Sequence, residues 1–566
     1  MMQLRSLIKP LNKLHPLVWW MFVVVILSFL IYFPSLDSSL TSDDYVLGNE
    51  IRNGTSIWAF FLHPTQSVFY RPVEDVILYI CGMHILTIRL LSISLHCCVA
   101  FLVMLSAKII YESCAFVKTN INFASGAAGC LFAVLPRQNE TVVWLASINN
   151  LVVAIAFYIA VIVVLVYRRN PKLRYILFLI MIMIVGFASK ENIVVFPAIA
   201  FIIIFHHHYT NRGGVSLLSV LKKSMLFPPV FITSIIVCCY LVFRYFILHR
   251  FGGYGLDHYI GESILYSYAR VITNFPRYLL LEGSVPIPLL EGLICNYMFY
   301  IELSIIIIIS LLIFIIEGTR ALKPLDNRNK QKYLEIILLF VCLSCVTILP
   351  SIMFSPSLIT NSLGRNLYLS SPWFAICIIS ILYTLVTPKY RVPTVIFLIG
   401  VYSIFSWNSA FGFKLAGNVA DNIINDYITF CQLHPNVQPY VLTTVASVSG
   451  YPTLYSEGLQ EAILYKEINV PVPNCPLVGI DEYLPSDSII TFCKLDSGIQ
   501  ITDNKHLSEV GIWPDTLVLK QIDKIWFNAR NSLVVLPINY LSVIQRHAVL
   551  VIHSNHLIQL DDNLLN

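Results

Sequence analysis

The chain has 566 residues, of which 57% are hydrophobic and 12% charged, with a mean hydropathy of +0.74 and a formal net charge of +5. Soluble proteins carry about 25% charged residues, so this composition excludes an ordinary soluble enzyme and predicts a polytopic α-helical membrane protein. The small positive excess gives no sign of a nucleic-acid partner.

Membrane spans are read as runs of about 20 apolar residues. Arg5, Lys9 and Lys13 precede the first, 16–34, and no small-residue cleavage site follows it, so it is expected to stay as an uncleaved span. Further runs lie at 88–110, 120–136, 147–167, 174–188, 191–206, 226–247, 297–316, 333–350, 372–388 and 393–409, giving about eleven transmembrane helices in all. The runs 174–188 and 191–206 also read as one broken hairpin. Most cysteines sit inside these runs, where they behave as small apolar residues, and none has metal-ligand spacing.

Loop charge orients the spans. Arg168, Arg169, Lys172 and Arg174, then Arg212, Lys222 and Lys223, then Arg320 to Lys332, then Lys389 and Arg391 fall on the side of the N-terminal cluster. The positive-inside rule makes that side cytoplasmic. The N-terminus is then cytoplasmic and the C-terminus extracytoplasmic. Two segments, Val73 to Leu86 and Glu262 to Leu281, read as helices lying in the outer membrane plane. The first mixes Glu74, Asp75 and His84 with apolar residues.

Past residue 409 the composition turns ordinary. The expected domains are a transmembrane domain, 1–409, and a small extracytoplasmic α/β domain, 410–566. A helix is expected over Asn418–Cys431, and strands at 440–442, 488–490, 516–519 and 548–552. Cys431, Cys475 and Cys493 leave room for one disulfide of undeduced pairing.

The polar residues of the outer loops carry the functional signal. Asp43 and Asp44 directly follow the first span. Two carboxylates beside hydrocarbon must face water, a cation or a substrate, because their desolvation is costly. The plain structural reading is a solvated loop in which Asp43 caps a helix. Arg71 precedes Pro72. Glu140 stands at the mouth of a span, where a helix dipole also favours it. Lys190 and Glu191 break two apolar runs, for which a plain hairpin turn with an ion pair is the slightly stronger reading. Arg244 sits at the outer end of a span and has room to snorkel. Arg365 and Tyr368 precede the tenth span, where both suit an interface, yet arginine also matches a phosphate with its fork of donors. His84 and His96 have interhelical and substrate-contacting readings alike.

In order, Asp43-Asp44, Tyr70-Arg71-Pro72, His96, Pro136 with Glu140-x-Val142-x-Trp144, Ser189-Lys190-Glu191 and Arg365-x-x-Tyr368-Leu369 resemble the GT-C superfamily of integral-membrane glycosyltransferases. Within it the likeness is to the membrane part of the O-mannosyltransferases that carry tetratricopeptide repeats, and to their bacterial relatives. It covers roughly residues 15–390. The chain departs from the family pattern at Arg137, where histidine is usual. It departs again at Ser147-Ile148-Asn149, where Gly-Arg is common, and at Gly364, where glutamate is common. The repeats are absent. These departures bear on the acceptor more than on the donor.

The resemblance implies an inverting enzyme that moves a sugar, mannose in the nearest relatives, from a polyprenyl- or dolichyl-phosphate donor to an acceptor hydroxyl on a protein, lipid or glycan. It implies a general base at Asp43 or Asp44, with Asp43 preferred. It implies donor-phosphate contacts from Arg365, Arg71 and Lys190, with Glu140, Tyr368, His96, Glu191 and Arg244 in support. No cofactor is expected; a divalent metal on Asp43 and Asp44 is the alternative. A transporter or flippase of lipid-linked saccharides and a non-catalytic assembly subunit are the rival functions. The missing repeats favour a bacterial inner membrane over the endoplasmic reticulum.

Overall fold

The computed structural model describes residues 16–54, 57–62, 69–113, 121–212, 215–248, 327–354 and 364–437, with strands and one helix between 439 and 559. The helices are α1 (Pro16–Tyr32), α2 (Asp43–Asn53), α3 (Pro72–Ile80), α4 (Ile85–Ser113), α5 (Ile121–Ala133), α6 (Ile148–Arg169) and α7 (Leu173–Phe187). They continue as α8 (Phe196–Thr210), α9 (Leu217–Met225), α10 (Pro228–Leu248), α11 (Asn327–Phe354), α12 (Ser371–Leu385), α13 (Pro388–Leu433) and α14 (Gly458–Lys466).

With the short turns that extend them, α1, α4, α6, α8, α10 and α13 supply six helices long and apolar enough to cross a membrane. Helices α5, α7 and α12 and the stretch Leu334–Leu349 of α11 are apolar but shorter. Each of these falls on a span expected from the sequence. By length and composition the chain is a multi-pass membrane protein. The expected span at 297–316 and the expected in-plane helix at 262–281 lie outside the described residues.

In the bundle α4 packs against α5 and α6, α6 against α7, and α12 against α5 and α11. Some polar groups in this apolar interior pair across helices. Tyr111 bonds Ser380 at 2.9 Å, and Tyr158 donates to the Leu369 carbonyl at 3.0 Å. At one end of the bundle Arg169 meets Glu112 at 3.2 Å. The other end gathers α2, α3 and the mouths of α4 and α6.

Helix α13 runs unbroken from Pro388 to Leu433, through position 409. At a rise of 1.5 Å per residue it is roughly 70 Å long, more than twice the ~30 Å hydrocarbon layer. Its far half carries the C-terminal region. The expected helix at 418–431 is part of this continuous rod. Small sheets follow it in the chain: β1 (Tyr440–Val441) pairs in parallel with β11 (Val549–His553), which pairs with β12 (His556–Gln559). Strand β2 (Thr443–Val445) pairs with β5 (Val478–Ile480), and β5 with β8 (Leu507–Glu509). Strands β3 (Ser447–Val448) and β4 (Tyr451–Pro452) form a hairpin. Strands β6 (Ile490–Leu495), β7 (Gly498–Asp503), β9 (Trp526–Asn528) and β10 (Leu533–Pro537) form an antiparallel sheet in the order 6-7-10-9. The Asp426 carboxylate fastens β12 to α13 through the Leu557 N–H at 3.0 Å. Cys431 is buried and unpaired among the described residues, which exclude the side chains of Cys475 and Cys493.

The in-plane helix expected over 73–86 is shorter: α3 ends at Ile80, and Gly82 and Met83 take positive φ before α4 begins at Ile85. The acidic residues of α3 do not face solvent: Glu74 is 2% and Asp75 4% exposed, while Ile80 is 70% exposed. The helix turns its carboxylates inward and its apolar end outward.

Candidate active site

The segment 140–150 is the hub of the site. It leaves α5 through a short turn begun by Pro136, makes one helical turn at Asn139–Val143, and enters α6 at Ile148. Glu140 accepts the Arg365 backbone N–H at 3.0 Å, and its other oxygen lies 3.6 Å from Arg365 Nε. The Arg365 guanidinium stacks 4.3 Å over the Trp144 ring. The Ala146 N–H donates to Asp44 Oδ1 at 2.9 Å. Asn149 Nδ2 reaches both oxygens of Glu74 at 2.8 Å. Asn150 Oδ1 accepts from Lys190 Nζ at 2.7 Å. One short stretch thus ties α2, α3, the α7–α8 turn and the start of α12 together.

The two aspartates are not equivalent. Asp44 is 1% exposed. Its Oδ2 accepts the Thr41 N–H at 3.1 Å, and its Oδ1 is taken by Ala146. Burial pushes its pKa up to about 7, although Arg89 and the two backbone donors pull it down. Asp43, the first residue of α2, is half-buried, and its nearest hydrogen-bonding group is its neighbour Ser42 at 3.5 Å. Both oxygens of Asp44 already hold backbone donors, and a guanidinium stands beside them. Among the described residues no group of three His, Cys, Asp or Glu side chains has a metal-holding arrangement.

Glu191 joins two guanidiniums, Arg71 at 3.8 Å and Arg244 at 3.6 Å. Arg71 also stacks 4.0 Å from the Phe69 ring, and Arg244 donates to the Tyr240 hydroxyl at 2.9 Å. Arg244 Nε and Nη2 and Arg71 Nε are buried without a hydrogen-bond acceptor among the described residues. Glu191 Oε2 is likewise buried without a donor among the described residues, so the cluster holds three unspent donors and one unspent acceptor. Lys190 is 6% exposed. Burial and the nearby Arg71 and Arg365 lower its pKa to about 7 against the pull of Glu191 and Glu74. Glu74 is raised to about 7 by burial, with Arg71, Asn149 and Lys190 opposing.

His96 and Tyr368 meet each other instead of the charged groups. The Tyr368 hydroxyl donates to His96 Nδ1 at 2.7 Å, because His96 Nε2 must carry the proton it gives to the Ala133 carbonyl at 3.1 Å. Both side chains are buried. The pair is a strut that holds the Arg365 turn to α4.

Sequence reasoning missed Arg89, Asn149 and Asn150, and did not single out Glu74. Arg89 is 3% exposed and donates to the carbonyls of Ser38 at 3.2 Å, Ser39 at 3.3 Å and Val143. Its signal was a lone charge inside the apolar run of α4.

No protein-family model matches the chain, and no curated protein matches it. A solved structure of the Archaeoglobus fulgidus oligosaccharyltransferase, in complex with Zn and sulfate, aligns over 76% of this chain at 12% identity and a TM-score of 0.37. This chain spans 60% of that neighbour's own length. A likeness so slight carries neither fold nor activity, and the geometry of the site stands alone.

Proposed function

We propose that the protein is a membrane glycosyltransferase of the GT-C type, moving a sugar with inversion from a polyprenyl- or dolichyl-phosphate donor to an acceptor hydroxyl on a protein, lipid or glycan. The observation that carries the reading is the set of unspent, buried guanidinium donors on Arg71 and Arg244, beside Lys190 and within the same charged cluster as Arg365. A lipid phosphate offers the acceptors these donors lack, and arginine's fork suits it. Cations held in a partly dry pocket stabilise the charge that grows on a departing phosphate.

Asp43 is the base. Asp44 is occupied by two backbone N–H groups, whereas Asp43 keeps its carboxylate for a hydroxyl. A positioned carboxylate accepting the acceptor's proton accelerates such a step by about 10²–10⁴-fold. Glu140 and Trp144 orient Arg365, and Asn150 orients Lys190. The site faces the extracytoplasmic side, since the loops at the opposite end carry Arg168, Arg169, Lys222 and Lys223.

The test is transfer by the purified protein from a radiolabelled lipid-phosphate sugar to acceptor. Donor binding without transfer in any acceptor mixture would favour a transporter, and absence of both would favour an assembly subunit.

A further inference from the structure

The residue before the acidic pair is held from the far end of the chain. Ser42 has φ of 42° and ψ of −113°, a backbone conformation that residues with a Cβ rarely adopt. Such conformations persist where the surroundings over-determine them, and they cluster at functional sites. Here the Ser42 N–H donates to the Thr453 carbonyl at 2.8 Å, just past β4. Gly458, which begins α14, lies against it: a Cβ there would stand 3.5 Å from the Ser42 Cα.

Helix α14 then runs along α2. Asn49 Nδ2 donates to the Glu461 carbonyl at 2.9 Å and to its carboxylate at 2.6 Å. Tyr45 and Tyr465 meet edge to face at 5.7 Å. Arg52 lies 3.8 Å over the Tyr465 ring. Gly48 makes room for that ring, since a Cβ there would sit 2.6 Å from Tyr465 Cε2. The approach to Ser42 is tied to α13 as well. Ser38 Oγ donates to the Phe413 carbonyl at 3.2 Å, Ser39 bonds Asp421, and Lys414 meets Asp37 at 2.7 Å.

We propose that the C-terminal region is a positioning element of the reaction: Thr453 and α14 hold Ser42 in its positive-φ conformation and so fix the direction in which the Asp43 carboxylate leaves α2. The proposal rests on Asp43 being the base. None of Thr453, Gly458, Glu461 or Tyr465 needs to touch substrate. Released from Thr453, Ser42 relaxes to negative φ, and the backbone entering α2 swings. A displacement of about 1 Å at a reacting group costs on the order of a hundredfold in rate.

Three variants of the full chain test it. Ser42→Gly accepts the same φ freely. Ser42→Pro removes the donated N–H and imposes a φ of about −65°. Tyr465→Ala leaves Ser42 alone and removes the ring that seats α14 on α2. Sugar transfer gives kcat and donor KM, and hydrogen exchange reads the amides of residues 43–53 against those of α4. Ser42→Gly should keep kcat within about twofold, while Ser42→Pro and Tyr465→Ala lose at least about tenfold with donor KM unchanged. Both should speed exchange in 43–53 and leave α4 protected. Parental kcat in Ser42→Pro and Tyr465→Ala would overturn the proposal. So would a matched loss of donor binding and α4 protection, which marks general unfolding. If the parent chain transfers no sugar, the enzymatic reading fails by itself. Exchange then decides the hold on α2, which unchanged protection in Tyr465→Ala would refute.

Discussion

Asp44 and Ala146, 102 positions apart, are joined by a 2.9 Å hydrogen bond from the Ala146 N–H to the Asp44 carboxylate. With the Thr41 N–H on its other oxygen, Asp44 pins the first loop to the mouth of α6. That sorts a pair of adjacent carboxylates into a structural one and a chemical one. Asp44→Asn keeps one carbonyl oxygen for two backbone donors. Leaving the other unsatisfied should cost about 1–3 kcal/mol, visible as a lower unfolding temperature in detergent. Asp43→Asn should leave that temperature unchanged and lower transfer by about 10²–10⁴-fold. Transfer at the parent rate by both single variants and the double variant would leave the mechanism without a base and bring the transporter reading forward.

Lys190 makes donor binding depend on pH. Its free-state pKa is lowered to about 7, chiefly by burial and then by Arg71. Below that value the ammonium is charged and attracts phosphate; above it the attraction fades, although bound phosphate itself raises the pKa. Donor affinity should therefore fall as pH rises through about 7 and beyond. Lys190→Arg keeps its charge throughout, so its affinity should fall less over the same range, the remaining fall coming from Glu74, which also ionises near 7. A fluorescent lipid-phosphate titration measures both. Equal pH profiles for the two proteins would take Lys190 out of the phosphate site.

The spans were legible because a bilayer demands long apolar runs, whatever the rest of the fold does. The charged residues were legible as a set because a membrane interior makes each one conspicuous. Their pairing was not. Adjacent helical residues point about 100° apart, so no local pattern tells which of Asp43 and Asp44 faces inward until Ala146 is seen beside one of them. The partners of Glu74 and Asp75 were hidden for a related reason. An amphipathic helix shows two faces, and only the bundle decides that the acidic face of α3 meets Asn149 instead of water. Asn149 and Asn150 carry no charge to draw notice, yet they hold Glu74 and Lys190 in place.

Glu191 is the counter-ion of two buried or nearly buried arginines. Glu191→Gln would leave Arg71 and Arg244 facing each other without it. Breaking a buried pair from one side costs about 3–5 kcal/mol, so thermal unfolding should come markedly earlier. Replacing Arg244 by Met as well removes the stranded charge and should recover part of the loss, a coupling that a double-mutant cycle reads directly. Additive losses in the double variant would show that the 3.6 Å contact contributes nothing.

Orientation is testable without any activity. A reporter fused after Asn566 should be extracytoplasmic, and one inserted within 320–332 should be cytoplasmic. Finding both on one side would put the Asp43 end of the bundle on the wrong face for the proposed reaction.

Arg365 is placed by two neighbours of different kinds: the Glu140 carboxylate at 3.6 Å and the Trp144 face at 4.3 Å. The carboxylate aims the fork, and the ring fixes its plane. Arg365→Ala should weaken donor binding by about 1.5–3 kcal/mol, the worth of a hydrogen bond to a charged group. Arg365→Lys restores the charge but neither the fork nor the stacked plane, so it should recover only part of that energy. Trp144→Phe keeps a ring face and should be mild; Trp144→Ala should approach the loss in Arg365→Lys, because a cation over a ring contributes about 0.5–2 kcal/mol. Glu140→Gln still offers an oxygen to the Arg365 backbone N–H and should cost less than Glu140→Ala. Donor affinity that is unchanged in Arg365→Ala would remove this residue from the phosphate site and leave Arg71, Arg244 and Lys190 to hold the lipid phosphate without it.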